Sequence, residues 1–324
     1  MRTTAARFEA TGHPFLVYDD LGDPAAPPVL LLHGGAAGSR AAWRDIPERL
    51  AAAHRVLAMD MRGHGDSGRA SGAYRIDHYA SDVEAFIEGV IGRPAALVGH
   101  SLGGLVAAQV AGTRPDLVDR AFFEDAPLHW QGEQGIPTRG DRPFRRDAFT
   151  ERINGMIDAG ASAAELSMTA FQEFAETGDF FGPRQTLWAG QRERGATVDE
   201  MAEGLRQTLA PLGVLGERFD IDVIKGLISG LLASDPGILT PGRDWLAAYD
   251  RTRPMTCLVH MLQGDAAVGP PPIGGVFPDD FVETFLATHP RATVQFVPGA
   301  GHAIHVEVPD LFTESLKTFL SDGG

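Results

Sequence analysis

Residues 95–104 read AALVGHSLGG, an apolar run that ends in a single serine set between glycines. Ser101 stands in the pattern Gly-x-Ser-x-Gly, with Gly99 before it, Gly103 after it and Gly104 following. A packed strand has no use for a polar hydroxyl, whereas this spacing is typical of a sharp strand-to-helix turn that exposes the serine oxygen. We therefore predict a buried strand that ends near Ser101 and a helix that begins there.

The strand-like pattern recurs towards both ends of the chain. Short apolar runs alternate with helical stretches as far as residue 127, and the alternation resumes near residue 250. Strands buried on both faces read as apolar runs, and their alternation with helices predicts an α/β fold with a mostly parallel central sheet flanked by helices. The expected strands are FLVYDD (15–20), PVLLLHGG (28–35), RVLAMDMRG (55–63), AALVGHS (95–101), RAFFEDAP (120–127), TCLVHMLQG (256–264) and RATVQFVPG (291–299).

The segment 128–249 differs from its flanks. It has helical character with glycine breaks, no clear strand, and many large apolar residues. A structureless loop of that length would be unusual, so a folded insertion is favoured. We predict a core domain over 1–127 and 250–324 and a helical cap domain over 128–249, with some cap aromatics, Trp130 first among them, in a substrate pocket beside Gly34.

Composition excludes several function classes. The formal net charge is −15 and no block of lysine or arginine occurs, which disfavours nucleic-acid binding. The single cysteine, Cys257, rules out an internal disulfide. The N-terminal stretch has no apolar core of a signal peptide, and no apolar run approaches the ~20 residues of a membrane helix. A soluble cytoplasmic protein without membrane or nucleic-acid partners is expected.

Polar residues follow the expected strands where parallel strands bring their carboxyl ends together, the usual ligand edge of such a sheet. They occur in the order Ser101, Asp125 or Asp265, and His302, which is the chain order of a hydrolase triad. Together with further motifs, this order closely resembles the α/β-hydrolase superfamily, whose usual cap position is after strand six, the run at 120–127. The motifs are HGG (33–35), Trp43, DMRGHGDS (60–67), GHSLGG (99–104) and GAGHAIHVEVPDLF (299–312).

The resemblance implies roles for individual residues. Ser101 would be the nucleophile at the elbow, and His302 would take its proton. The family places its base directly after Gly-x-Gly, which selects His302 over His305. The oxyanion hole would be made by backbone N–H groups of Leu102, directly after the nucleophile, and of Gly35.

Two aspartates compete for the place of the triad acid. Many family members carry the acid as Gly-x-x-Asp after strand seven, but the matching residue here is Ala267, and Asp265 stands two residues early. Another branch, including the zearalenone-lactone hydrolases, has its acid after strand six, two residues before a proline, as Asp125 stands before Pro127. We favour Asp125 and keep Asp265 as the alternative; Glu124 alternates away along a strand.

These features predict a serine hydrolase that cleaves a carboxylic ester or lactone through an acyl-enzyme, without cofactor or metal. The same triad also serves amidases, thioesterases and carbon–carbon bond hydrolases, and cofactor-free haloperoxidase-like activity is a further alternative. A non-catalytic ligand receptor on the same fold is the alternative from another class. The expected partner is a small apolar or aromatic substrate, and a homodimer is left open.

Overall fold

The computed structural model divides into two compact units, Met1–Gly135 with Gly242–Gly324, and Ile136–Pro241. The predicted limits of core and cap remain a prediction. The residues that the structure describes are 2–35, 38–70, 72–129, 144–177, 182–209, 221–235, 238, 249–265 and 280–321.

The first unit is built on an eight-stranded sheet in the order β1-β2-β4-β3-β5-β6-β7-β8. Strands β3 to β8 pair in parallel, and β1 and β2 form the antiparallel edge. The predicted fold class, a mostly parallel sheet flanked by helices, is confirmed. The strands are β1 (Arg2–Phe8), β2 (Leu16–Leu21), β3 (Pro28–Leu32), β4 (Arg55–Asp60), β5 (Ala95–His100), β6 (Val118–Glu124), β7 (Leu258–Gly264) and β8 (Ala292–Val297).

Burial explains which strands the sequence revealed. All five residues of β3 are buried, and β3 pairs with β4 on one side and with β5 on the other. The edge strand β1, RTTAARF, pairs only with β2 and has no apolar run, so the sequence pattern did not predict it. Apolar runs in the sequence therefore predict the central strands of this sheet, but they do not predict the more polar edge strand β1.

The helices of the first unit pack their apolar faces against the sheet. Phe122 of β6 lies in one core cluster with Trp43, Phe312 and Leu316, all fully buried. Two short 3-10 turns (40–43 and 115–117) and one π turn (87–91) complete the connections. The α-helices are α1 (Ile46–Leu50), α2 (Ile76–Phe86), α3 (Leu102–Thr113), α9 (Phe281–Thr288), α10 (Ile304–Glu307) and α11 (Pro309–Ser321).

The described part of the second unit is helical. Phe149, Trp188 and Ile228 are buried within it. Its helices are α4 (Arg146–Asp158), α5 (Ala163–Thr177), α6 (Gly182–Glu193), α7 (Val198–Leu209) and α8 (Ile221–Ala233). Across the described residues of the whole chain, no helix combines the length and apolar character needed to cross a bilayer.

Candidate active site

Ser101 forms the turn between β5 and α3. Its backbone has a φ of 51° and a ψ of −114°, a conformation that non-glycine residues seldom adopt. The Ser101 N–H donates to the Glu124 carbonyl at 2.9 Å, which ties the turn to the end of β6. Strain of this kind persists only where the surrounding structure enforces it, and it concentrates at functional sites.

The glycines around Ser101 let the turn approach its neighbours. A Cβ on Gly103 would lie 2.0 Å from the Leu32 carbonyl oxygen at the end of β3. No side chain fits at that distance, so only glycine allows α3 to begin this close to the sheet. The Gly-x-Ser-x-Gly pattern thus has a packing reason as well as a conformational one.

His302 follows β8 and meets Asp125, the residue after β6. Its Nδ1 lies 2.5 Å from Asp125 Oδ2. The carboxylate accepts, so the ring proton is on Nδ1 and the lone pair is on Nε2. The His302 side chain is 30% exposed, whereas that of Asp125 is 4% exposed. The His302 ring therefore has the buried Asp125 carboxylate on one side and is more exposed on the other.

Donors on three sides hold the Asp125 carboxylate. Oδ1 accepts hydrogen bonds from the Gln263 side-chain amide and from the Gly264 N–H at 3.0 Å, while Oδ2 faces His302. The Asp125 backbone has a positive φ of 41°, and its N–H donates to Leu262 O at 2.8 Å. Three hydrogen-bond partners therefore fix the orientation of this buried carboxylate.

Asp265 has a different place in the structure. Its Oδ2 accepts the Gly299 N–H at 3.0 Å, and its own N–H donates to Ala300 O at 2.6 Å. Asp265 therefore supports the turn that leads to His302, whereas Asp125 accepts the hydrogen bond from His302 Nδ1. The competing position, Ala267, lies outside the described residues.

The residues predicted for the oxyanion hole lie side by side. A Cβ on Gly35 would be 3.4 Å from the Leu102 Cβ, so the loop after β3 runs against the start of α3. Leu102 is the first residue of α3, and the N–H groups of a first helical turn have no acceptor within the helix. Gly34 lies against His100, since a Cβ on Gly34 would be 2.7 Å from His100 Nδ1. Trp130 lies outside the described residues.

Two contacts in this site were not anticipated from the sequence. Gln263, on β7, donates to Asp125, because the pairing of Glu124 with Leu262 sets the end of β7 beside the end of β6. Glu124 points away from Asp125, and its carboxylate binds His305. Strand alternation predicts the direction of Glu124, but a lone glutamine on an apolar strand carries no signal of its own.

The donor atoms of His100, Glu124 and His305 lie within 4.8 Å of one another, close enough for a metal ion. His305 Nδ1 faces both Glu124 oxygens at 2.8 Å, and Nε2 faces the Ala42 carbonyl at 3.2 Å. Both nitrogens thus face oxygen acceptors at hydrogen-bond distance. An ion pair describes these contacts better than a metal centre does; the expectation of no metal and no cofactor remains a prediction.

Comparison with known proteins gives the family. A family model of the alpha/beta hydrolase fold matches residues 27–149. A protein of Variovorax paradoxus described as a carbamate hydrolase, RutD, is 42% identical over 306 residues, covering 92% of this chain and 93% of that protein. The chain belongs to the alpha/beta hydrolase family. A shorter match is to an uncharacterized Mycobacterium tuberculosis protein, 35% identical over 102 residues, of which the chain spans 30% of the length.

Solved structures share the alpha/beta hydrolase fold at low sequence identity. An aryl esterase of Burkholderia cenocepacia superposes with a TM-score of 0.63 at 21% identity, covering 97% of each chain. The enol-lactonase of Burkholderia xenovorans has a TM-score of 0.61 at 17% identity, covering 98% of this chain and all of that one. At such identities the likeness establishes the fold.

Three histidines of this alpha/beta hydrolase lie around the site in neutral form; His33 and His64 are buried, and His100 is partly buried. Burial lowers the pKa of His33 to about 4, and burial lowers the pKa of both His64 and His100 to about 3. His33 donates from Nδ1 to Gly34 O at 2.7 Å and accepts the Met61 N–H at Nε2. It thereby fixes the loop that carries Gly34 and Gly35.

These shifts predict acid destabilisation. The unfolded chain protonates its histidines near pH 6.5, whereas the folded pKa values of His33, His64 and His100 are about 4, 3 and 3. Between those limits the unfolded state binds more protons, so the free energy of unfolding falls as the pH falls. Each histidine contributes a slope of up to about 1.4 kcal/mol per pH unit. Urea denaturation at pH 7, 6 and 5 measures the slope.

A His64→Asn variant is the control for that measurement. Its amide keeps a donor for Arg62 O, which His64 Nδ1 meets at 2.9 Å, and removes one titrating group. Its stability should depend less steeply on pH than that of the wild type. Equal stability of the wild type at pH 7 and pH 5 would contradict the prediction.

Proposed function

We propose that the protein is a serine hydrolase that cleaves a carboxylic ester or lactone through an acyl-enzyme. The observation that carries the proposal is the hydrogen bond from His302 Nδ1 to Asp125, at the same strand edge as the strained turn at Ser101. A histidine whose Nδ1 proton is held by a carboxylate keeps Nε2 free to act as a base. That is the requirement for activating a serine hydroxyl.

In the proposed reaction, Ser101 Oγ attacks the substrate carbonyl carbon while His302 Nε2 takes the hydroxyl proton. The oxyanion that forms accepts hydrogen bonds from the N–H groups of Gly35 and Leu102. The carbon–oxygen bond to the leaving group then breaks, and the His302 imidazolium gives its proton to the departing alkoxide. Water, deprotonated by the same histidine, attacks the acyl-enzyme, and the acid leaves with Ser101 restored. Asp125 stays ionised and stabilises the imidazolium.

The choice of ester or lactone is supported by the names of structural neighbours, an aryl esterase and an enol-lactonase. Carbamate cleavage is a second candidate, favoured by the likeness to the RutD protein over nearly the whole chain. It requires the same nucleophile, base and oxyanion donors, and differs in the leaving group. Amides, thioesters and carbon–carbon bonds stay alternatives. The substrate proposed for the ester or lactone reaction is a small apolar or aromatic molecule that lies against Gly34.

Turnover of a substrate panel by the wild type tests the proposal. The panel holds aryl and alkyl esters, five- and six-membered lactones and aryl carbamates, and a fluorophosphonate probe is run in parallel. We expect ester or lactone turnover and covalent labelling that ends with loss of fluoride. Faster turnover of the carbamates would select the second candidate. If the wild type neither turns over any panel member nor is labelled, the hydrolase proposal is overturned in favour of a ligand receptor.

A further inference from the structure

Each proposed triad residue has a polar neighbour close in sequence that faces another way. His100 precedes Ser101, Glu124 precedes Asp125, and His305 follows His302 by three residues. These neighbours form a cluster of their own, in which one ring nitrogen of each histidine and one Glu124 carboxylate oxygen lie within 4.8 Å of one another. The mechanism above assigns them no step, so their position beside the site requires a reason.

Glu124 and His305 form a buried ion pair. The Glu124 side chain is 0% exposed and that of His305 is 3% exposed. Glu124 Oε1 accepts the His305 backbone N–H at 2.7 Å, and the His305 ring Nδ1 lies 2.8 Å from both carboxylate oxygens. One carboxylate thus fixes both the main chain and the ring of His305.

Both ring nitrogens of His305 face oxygen acceptors. Nδ1 faces the Glu124 carboxylate and Nε2 faces the Ala42 carbonyl at 3.2 Å, an arrangement that suits a ring with two N–H donors. Burial would raise the pKa of Glu124, but the neighbouring His305 and His100 and the hydrogen bonds from His305 outweigh burial, and the pKa lies below its usual value. Opposite charges on these two buried side chains compensate each other.

His100 connects the pair to the proposed base. Its ring lies between the rings of His302 and His305, with centroid distances of 4.7 and 5.1 Å. Burial lowers the pKa of His100 to about 3, so the ring is neutral and carries a single N–H. Its Nε2 lies 3.0 Å from the His302 carbonyl, an acceptor, and therefore bears that proton. The main chain of the loop is held at 302 by His100 and at 305 by Glu124.

We infer that the Glu124–His305 ion pair and His100 are positioning residues that hold His302 at Asp125. The inference rests on the proposed hydrolase function and adds residues that touch neither substrate nor reacting atoms. A displacement of about 1 Å at a reacting group can cost about 10²-fold in rate. A loop anchored at two main-chain positions, one of them the base itself, is the structural means of preventing that displacement.

One pair of variants isolates the His100 hydrogen bond. His100→Gln and His100→Met place side chains of nearly equal length at this position, but only glutamine can donate to the His302 carbonyl. We expect kcat of His100→Met to be lower than that of His100→Gln by about 10²-fold, with KM values within about two-fold of each other. Equal kcat values for the two variants would overturn the role of His100.

A double-mutant cycle tests the ion pair. Glu124→Gln and His305→Asn are each expected to lower kcat by about 10²-fold at nearly constant KM, and the double variant is expected to lose no more than either single one. Multiplied losses in the double variant would show independent residues and contradict the proposal. Asp82→Asn is the matched control. Asp82, on α2, forms another buried ion pair, with Arg62 at 2.6 Å. The substitution should lower stability and leave kcat unchanged.

Histidine-labelled protein gives a readout that does not depend on turnover. In nitrogen–proton NMR spectra of the wild type near pH 7, we expect a protected Nδ1–H signal for His302 and two N–H signals for His305. In folded Glu124→Gln the His302 signal should exchange rapidly or vanish, and in Asp82→Asn it should persist. A His302 signal unchanged in Glu124→Gln overturns the inference, even if no panel substrate is turned over. Signal loss together with an inactive wild type would retain the anchoring and refute the hydrolase function alone.

Discussion

Replacing Ser101 with alanine is expected to lower kcat by about 10⁶-fold and to abolish fluorophosphonate labelling. In the proposed mechanism the serine oxygen forms the acyl-enzyme, so no neighbouring side chain substitutes for it. Alanine keeps the Cβ and hence the backbone preference at φ 51°, so the fold should be retained. Turnover of the ester and lactone panel and mass analysis of the labelled peptide measure the two effects.

Two further serine variants separate chemistry from folding. Ser315→Ala removes a hydroxyl from α11 that lies 3.0 Å from Gln295 Oε1, and it should leave kcat within about two-fold of the wild type. Ser101→Gly should be as inactive as Ser101→Ala but more stable by about 1 kcal/mol, because glycine adopts a positive φ without strain. Retained turnover in Ser101→Ala would remove the serine from the mechanism.

The strain at Ser101 explains why so much of the fold was predictable. A sharp turn between a buried strand and a helix requires glycines at set positions, and those glycines are visible in the sequence. Central strands such as β3 are visible too, because burial on both faces demands an apolar run. The edge strand β1 was not predictable, since a strand paired on one side has no such demand.

The site was predictable to the extent that its chemistry is local. Ser101 and His302 stand in short motifs that lie within one turn or loop. The partners of Asp125 come instead from the register between β6 and β7, which sets Gln263 and Gly264 beside it. The ion pair of Glu124 with His305 joins residues 181 positions apart. Sequence patterns within one element do not encode such pairings.

The acid assignment yields the second large effect. We expect Asp125→Asn to lower kcat by about 10⁴-fold. The two donors at Oδ1, from Gln263 and Gly264, require an acceptor there, so the asparagine oxygen takes that position. Its NH₂ group then faces His302 Nδ1, which must accept. The ring proton moves to Nε2, and the nitrogen that would take the serine proton is blocked.

Asp265→Asn is the matched variant, because the same change is made one strand away. Its amide oxygen still accepts the Gly299 N–H, and no proton on His302 Nδ1 depends on it. We expect kcat to fall by less than about ten-fold, with the His302 Nδ1–H signal preserved. The reverse pattern, collapse in Asp265→Asn and activity in Asp125→Asn, would assign the acid to Asp265. Because both variants remove one charge from the same sheet edge, a difference between them reports the hydrogen bond to His302 rather than the general electrostatics of the site.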